Sequence, residues 1–362
     1  MRKRIVLSGY YGFGNTGDEA VLAGILATFE QIGLDAEVTV LSADPARTMA
    51  QHPGVKAVHR YKPAQLLCAI AGADLFISGG GSLLQDATSA RSAQYYLFII
   101  RLARLLRRKT MIYAQGIGPI NRDSIRKSVA SVINGMDIIT VRDPDSKTLL
   151  EDIGVHKPVE VVADPAFLVK PDLDAADRVL VDYGVKGKDI ITVCLRSWGE
   201  DSEWLPAAAE GIRAACEEIG AVPVMVPMQE PDDVAVSQSV TGGVVLRGLD
   251  DVRVVKGVIA RSRLVVGMRL HSLIFAASEA TPFVPLVYDP KVASFASIAG
   301  EDGLRVPDLH SLSAESVKSA IAQIWARRDD IANRIKEKAP ALIEAATIPA
   351  KQAAHLLGFQ DT

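Results

Sequence analysis

Short runs of apolar residues alternate, through most of the chain, with stretches whose apolar positions recur at helical spacing. Residues 5–7, 37–41, 75–78, 110–113, 138–141 and 159–162 read as strands. Helical patterns fall at 63–71, 93–106, 125–135 and 146–153. Apolar strands separated by helices mean a parallel sheet covered on both faces. The alternation stops between about 170 and 188, where Pro171 leads a polar, Asp-rich stretch. It resumes with strands at 190–195, 222–226, 244–246, 264–266 and 283–287, and helices at 205–219 and 251–260. From 313 onward the pattern is helical. The expected class is α/β, with two doubly wound Rossmann-like domains facing a cleft. They span 1–170 and 189–345, with a linker at 171–188 and a tail at 346–362.

Ligands of such sheets sit beyond the carboxyl ends of the strands. Residues 9–22 read G-Y-Y-G-F-G-N-T-G-D-E-A-V-L, a strand exit, a glycine-rich turn and a helix start. Gly12-x-Gly14-x-x-Gly17 has the spacing of a dinucleotide fingerprint. Asp18 and Glu19 oppose that reading, because they put negative charge where a pyrophosphate needs the positive end of a helix. Tyr11, Phe13, Asn15 and Asp18 instead suit a flat, polar ligand such as a sugar, with a plain structural turn as the competing reading. Gly79, Gly80 and Gly81 either bring bare N–H groups to an anion or hydroxyl or form a tight turn. Gln115 stands at the next exit, in A-Q-G-I-G-P. Arg142 ends a strand and either points into the cleft or pairs with Asp143.

In the second half, Arg196 ends the 190–195 strand. The stretch G-M-R-L-H puts Arg269 and His271 at the positive end of a helix, where an anion is held beside a group able to move a proton. Residues two apart near a helix start diverge, so Arg269 pointing away is the competing reading. Lys291, in Y-D-P-K, is a further cation at a strand exit. A polyol-suited loop in one domain and cations in the other describe transfer of a group from an anionic donor to a sugar.

Composition narrows the class. The chain is 49% hydrophobic and 23% charged, enough for a large core. A net charge of -3 argues against a nucleic-acid binder, and nucleic acid is not expected as a partner. Cys68, Cys194 and Cys216 form no C-x-x-C pair, and all three are expected to be buried. No H-E-x-x-H, paired Asp-x-Asp or Walker loop occurs, so no metal site is expected. No apolar run is long enough to span a membrane and the basic start lacks a signal core, so a cytoplasmic location is expected. Residues 95–109 read Y-Y-L-F-I-I-R-L-A-R-L-L-R-R-K, an apolar helix with Arg101, Arg104 and Arg108 along one side. It is either a surface that meets the inner face of a membrane or a sheet-covering helix whose basic end complements its dipole.

Taken in order from Gly9 to Lys291, G-Y-Y-G-F-G-N-T-G-D-E-A, G-G-G-S-L-L-Q-D, A-Q-G-I-G-P, V-R-D, G-M-R-L-H and Y-D-P-K resemble the polysaccharide pyruvyl transferase family, of the CsaB type. The resemblance implies a glycosyltransferase B-like pair of domains and phosphoenolpyruvate as co-substrate, without cofactor or metal. It implies an N-acetylmannosamine-type acceptor sugar on a lipid-linked cell-wall polysaccharide precursor. The product would be a pyruvate ketal, with phosphate released, serving the anchoring of surface-layer (S-layer) proteins. By motif, His271 would be the general acid/base, Arg142 and Lys291 would hold the donor, and Tyr11 and Phe13 would line the acceptor side. Donor roles for Arg196 and Arg269 come from position alone. A nucleotide-sugar glycosyltransferase of the same architecture is the rival, with Gly267 and Arg269 taking a diphosphate. A non-catalytic sugar-binding subunit is the alternative from another class.

Overall fold

The computed structural model describes residues 2–86, 90–198, 203–299 and 309–359. The chain divides into two compact units, Met1–Val169 with Leu342–Thr362, and Lys170–Ala341.

The first unit begins with β1 (Lys3–Tyr11), α1 (Thr16–Gln31), β2 (Ala36–Ser42), α2 (Pro45–Gln51), β3 (Lys56–His59), α3 (Pro63–Ala71) and β4 (Leu75–Gly79). It continues with α4 (Ala90–Leu105), β5 (Lys109–Gln115), α5 (Asp123–Ile133), β6 (Ile138–Val141), α6 (Pro144–Asp152) and β7 (Glu160–Val161). The strands pair in parallel in the order β3-β2-β1-β4-β5-β6-β7. Successive side chains of a strand face opposite sides. Accordingly Ile5 and Leu7 join α1 residues Val21, Leu22 and Ile25 in one layer, while Val6 joins Leu66 and Ile70 of α3 and Leu97 and Ile100 of α4 in the other. Strand order reverses between β1 and β4, so the loops after those strands flank the switch point.

The second unit holds α7 (Leu173–Asp182), β8 (Ile190–Cys194), α8 (Trp204–Ile219), β9 (Val222–Met225), α9 (Asp232–Ser237), β10 (Val244–Val245) and α10 (Val252–Ala260). It continues with β11 (Leu264–Gly267), α11 (Leu270–Ser278), β12 (Phe283–Pro285), α12 (Pro290–Ala299), α13 (Ala314–Ala326) and most of the first half of α14 (Arg328–Leu357). Its strands run parallel in the order β10-β9-β8-β11-β12, with the switch point between β8 and β11.

Two segments differ from the sequence expectation. Residues 171–188 are not a bare linker, because they contain α7, capped by Asp172 accepting from Ala175 N–H. Ala176 and Leu180 are its buried face, too few apolar positions to stand out from the surrounding aspartates. Residue 257 of α10 is glycine because a Cβ there would lie 2.6 Å from the Asp172 carbonyl oxygen and 2.8 Å from Ala176. Of the expected tail at 346–362, residues 346–357 belong to a helix. α14 continues to Leu357, and its Ala350, Ala353 and Leu357 complete the core layer around Ile5 and Leu7. The helical pattern expected from 313 onward thus runs on through Pro340 and Pro349.

α1 lies against a 3-10 turn at Pro165–Leu168 so closely that a Cβ on Gly24 would sit 2.0 Å from the Pro165 carbonyl oxygen. Backbone cannot yield as a side chain can. Gly24→Ala is expected to destabilise the protein by roughly 1–3 kcal/mol, seen as a lower urea midpoint. An unchanged midpoint would mean that α1 and this turn are not in contact.

Candidate active site

The carboxyl edge of the first unit is built around the opening loop. Tyr11 ends β1 and folds its ring back over Gly9, where a Cβ would lie 2.3 Å from the ring. Its hydroxyl donates to the Gly79 carbonyl at 2.9 Å, and the residue is 1% exposed. Tyr11 is therefore a core residue that ties β1 to β4, which corrects its expected place on the acceptor wall. Gly12 turns the chain at φ 79°, in a space where a Cβ would meet Ser42 Oγ at 2.2 Å. Gly12 N–H donates to Glu19 Oε1 at 2.7 Å. The acidic helix start that spoke against a pyrophosphate thus has a structural use: Glu19 holds the turn from inside. Asn15 is the N-cap of α1, its side-chain oxygen accepting from Gly17 and Asp18 N–H. Phe13 is partly exposed and stacks on Tyr10, ring centroids 4.1 Å apart. Asp18 is also partly exposed and lies over Gly81, where a Cβ would be 2.6 Å from its Oδ1.

The other expected groups of this edge are largely absorbed by the fold. Gly79 belongs to β4, and Gly80 N–H donates to the Tyr113 carbonyl at 3.0 Å. Gly81 accepts from Gly116 N–H through its carbonyl, and the fully buried Gln115 side chain reaches the Gly80 carbonyl at 3.5 Å. The run is thus a tight turn knitted to β5. Arg142 is buried, its Nη1 donating to Asp164 Oδ2 at 2.6 Å and its Nη2 to Ser82 Oγ at 3.1 Å. Its expected neighbour Asp143 stands further off, at 4.0 Å, and caps α6 instead. Asp164 also accepts from Ala166 N–H, so Arg142 clamps the turn that α1 packs against to the loop after β4. In this structure its guanidinium thus serves as a clamp.

The second unit's edge gathers cations over adjacent strands. Arg196, beyond β8, donates from Nη1 to the Tyr288 hydroxyl at 3.0 Å, and its guanidinium lies over the rings of Trp198 and Tyr288 at 5.3 and 5.1 Å. Lys291 Nζ lies 5.9 Å from the same Tyr288 ring, beyond β12, and pairs with Asp289 at 3.0 Å. Tyr288 therefore brings Arg196 and Lys291 to one place. Between them in strand order comes β11, followed by α11 with His271 in its first turn. Gly267 permits the tight step from strand to helix, since a Cβ would meet Ser272 Oγ at 2.5 Å.

Arg269 is paired with a carboxylate of its own unit. It makes a two-pronged pair with Asp233, which is fully buried and also accepts from Met228 and Gln229 N–H. The pair locks the exit of β9 to the start of α11 and so sets where His271 stands. Burial pushes the Asp233 carboxyl upward, against the pull of the guanidinium. Asp233 was invisible in the sequence, being 36 residues from its partner. Trp198 and Tyr288 were legible as aromatics beside expected cations, although no role was attached to them. Burial pushes the Cys194 and Cys216 thiols up to about 12, but Cys68 is exposed, contrary to expectation. Among the described residues no cluster of His, Cys, Asp and Glu with metal-ligand geometry occurs.

A sequence model described as polysaccharide pyruvyl transferase matches residues 15–290. The chain belongs to the polysaccharide pyruvyl transferase family. As a member it is a transferase, and the matched span holds Arg142, Arg196, Arg269 and His271 while stopping one residue short of Lys291. No curated protein sequence matches. Solved structures of similar fold include the S. aureus MnaA–UDP co-structure, at 12% identity and TM-score 0.69 over 99% of this chain and 98% of that one. Anabaena Alr3699/HepE in complex with UDP-glucose is 11% identical, TM-score 0.63, over 98% and 99%. UDP-GlcNAc 2-epimerase from Neisseria meningitidis bound to UDP-GlcNAc is 14% identical, TM-score 0.63, over 98% and 100%. This pyruvyl transferase family member thus has a glycosyltransferase B-like fold.

Burial raises the Glu19 carboxyl to about 7, above its ordinary value of 4.5. A carboxyl raised by folding favours the folded state while protonated. That contribution is complete below the unfolded value and is lost as pH rises through the folded one. Stability is therefore expected to fall between about pH 4.5 and 7, by roughly 2–3 kcal/mol at most from this group. Glu19→Gln, which stays neutral and keeps an acceptor for Gly12, should flatten that limb in denaturant titrations. Parallel profiles for the two proteins would remove Glu19 as the cause.

Proposed function

We propose that this family member transfers pyruvyl from phosphoenolpyruvate to two hydroxyls of one sugar, forming a ketal and releasing phosphate. The acceptor proposed is an N-acetylmannosamine-type sugar on a lipid-linked cell-wall polysaccharide precursor, used at the inner face of a membrane. The observation that carries the donor assignment is the convergence of Arg196 and Lys291 on Tyr288, on strands flanking the one that leads to His271. Two cations beside a helix N-terminus suit a compact polyanion carrying both phosphate and carboxylate.

His271, as imidazolium, gives its proton to C3 of the donor, and the C2=C3 electron pair forms the new C–H bond. C2 becomes oxocarbenium-like and is attacked by one sugar hydroxyl, whose proton returns to a base, His271 serving again. The C2–O bond to phosphate then breaks, and the second hydroxyl closes the ketal as its proton passes to the departing phosphate. Arg196 and Lys291 stabilise the charge collecting on the phosphate. Phe13 and Asp18 are the groups of the opening loop proposed to meet the sugar, one by stacking and one by hydrogen bonding. Asp233 and Arg269 act through His271, by fixing the start of α11.

The solved structures named above were determined with UDP or UDP-sugars, and sugar transfer from such a donor is the second reading. Thermal shift separates the two. Phosphoenolpyruvate should raise the melting temperature, and UDP-sugars and NAD should not. A response to UDP-sugars alone would replace the pyruvyl reading. His271→Ala should lower turnover by about 10²-fold or more with its melting temperature kept, the usual weight of a general acid or base. Near-normal turnover in that variant would sink the assignment.

A further inference from the structure

We infer that the α3–α4 face of the first unit docks on an anionic lipid bilayer. The idea deepens the lipid-linked reading of the acceptor, but its observations are independent of the reaction.

α4 buries Ala93, Tyr96, Leu97, Ile100 and Ala103 in the core layer. Its outer stripe recurs at helical spacing as Arg91, Gln94, Phe98, Arg101 and Leu105, all exposed. Phe98 is 57% and Leu105 80% exposed, so sheet covering does not account for them. α3 packs beside α4 in the same layer and exposes Leu67, and Tyr61 just before it is 60% exposed. Large apolar side chains are thus interleaved with cations.

The charge of this face is one-sided. Lys62, Arg91, Arg101 and Arg104 are exposed on or beside its two helices, and neither 61–73 nor 90–108 holds an Asp or Glu. Yet the whole chain has a net charge of -3, so the remainder carries the excess acid. Such an asymmetry turns this face toward an anionic surface and the rest of the protein away from it. A nucleic acid would take the cations and leave Phe98 and Leu105 in water. A second copy seated on the same face by two-fold symmetry would set cations against cations. A bilayer with anionic headgroups satisfies both, the aromatic and aliphatic side chains entering the headgroup boundary. No described helix is long and apolar enough to cross a membrane, so the contact is peripheral.

The patch is tied to the opening loop. Arg60 is 3% exposed, and its guanidinium lies 4.5 to 5.3 Å from the rings of Phe13, Tyr61, Tyr95 and Tyr96. Its Nη1 donates to the Gly9 carbonyl at 2.8 Å. One buried cation therefore joins the edge of the patch at Tyr61 to the loop that carries Phe13, so a sugar on a lipid anchor would be delivered beside that loop.

Cys68 on α3 is exposed while Cys194 and Cys216 are buried, which allows selective labelling with an environment-sensitive dye. The full chain, labelled there, is mixed with vesicles of phosphatidylcholine alone or with phosphatidylglycerol. A blue shift and co-sedimentation with the anionic vesicles only, reversed by salt, are expected. Phe98→Ser with Leu105→Ser, and separately Arg101→Glu, should each weaken the partition by about tenfold or more at an unchanged melting temperature. Turnover on a water-soluble acceptor should be the same in all three proteins, so loss of pyruvyl transfer and loss of docking are told apart. Equal binding to neutral vesicles, or variants that bind like the parent, would overturn the inference. So would light scattering that shows a dimer abolished by the serine variants.

Discussion

A parallel sheet places all its strand exits on one edge, and each exit leaves backbone carbonyls and N–H groups that must find partners away from water. In this protein much of the demand is met by the backbone of neighbouring exits, and part of it by side chains of types that also bind ligands. Tyr11 serves the Gly79 carbonyl and Gln115 the Gly80 carbonyl, while Arg142 ties the Ser82 and Asp164 side chains together. In the first unit Phe13 and Asp18 stay partly exposed at this edge. In the second, Asp233 holds the arginine nearest the helix start, while Arg196 and Lys291 meet over Tyr288.

Buried ion pairs carry this arrangement at a cost. Taking Arg142 and Asp164, or Arg269 and Asp233, out of water is unfavourable unless nearly every donor is answered. Each pair supplies those answers through further bonds: Ser82 and Ala166 N–H in one, Gln229 and two backbone N–H groups in the other. Both pairs join segments distant in sequence, one at the mouths of the neighbouring β6 and β7, the other across β8 from the exit of β9 to that of β11. Their worth lies in fixing geometry, since an apolar pair could pack there but could not dictate the angle at which α11 leaves β11.

The alternation of apolar strands and helices was legible because fully buried strands are nearly pure in Val, Ile and Leu, and the glycine-rich exits stood out beside them. What escaped was whatever depends on partners far along the chain. Tyr11 looked like a sugar platform because a glycine-flanked aromatic on a turn resembles one, and only the folded chain reveals that Gly9 is there to make room for its ring. Cys68 looked buried because its neighbours Leu66 and Ile70 are, yet it falls on the outward side of α3. α7 hid behind its aspartates. Family membership rested on several motifs in order, which tolerate misassignment of any single residue.

α14 begins in the second unit and ends in the first, and Ala350, Ala353 and Leu357 seal the layer around β1. β1 precedes the whole second unit in sequence, and Ala350, Ala353 and Leu357 follow it. The core layer of the first unit therefore lacks one of its walls until the second unit has been made. The second unit, by contrast, has nearly all of its parts before that end appears.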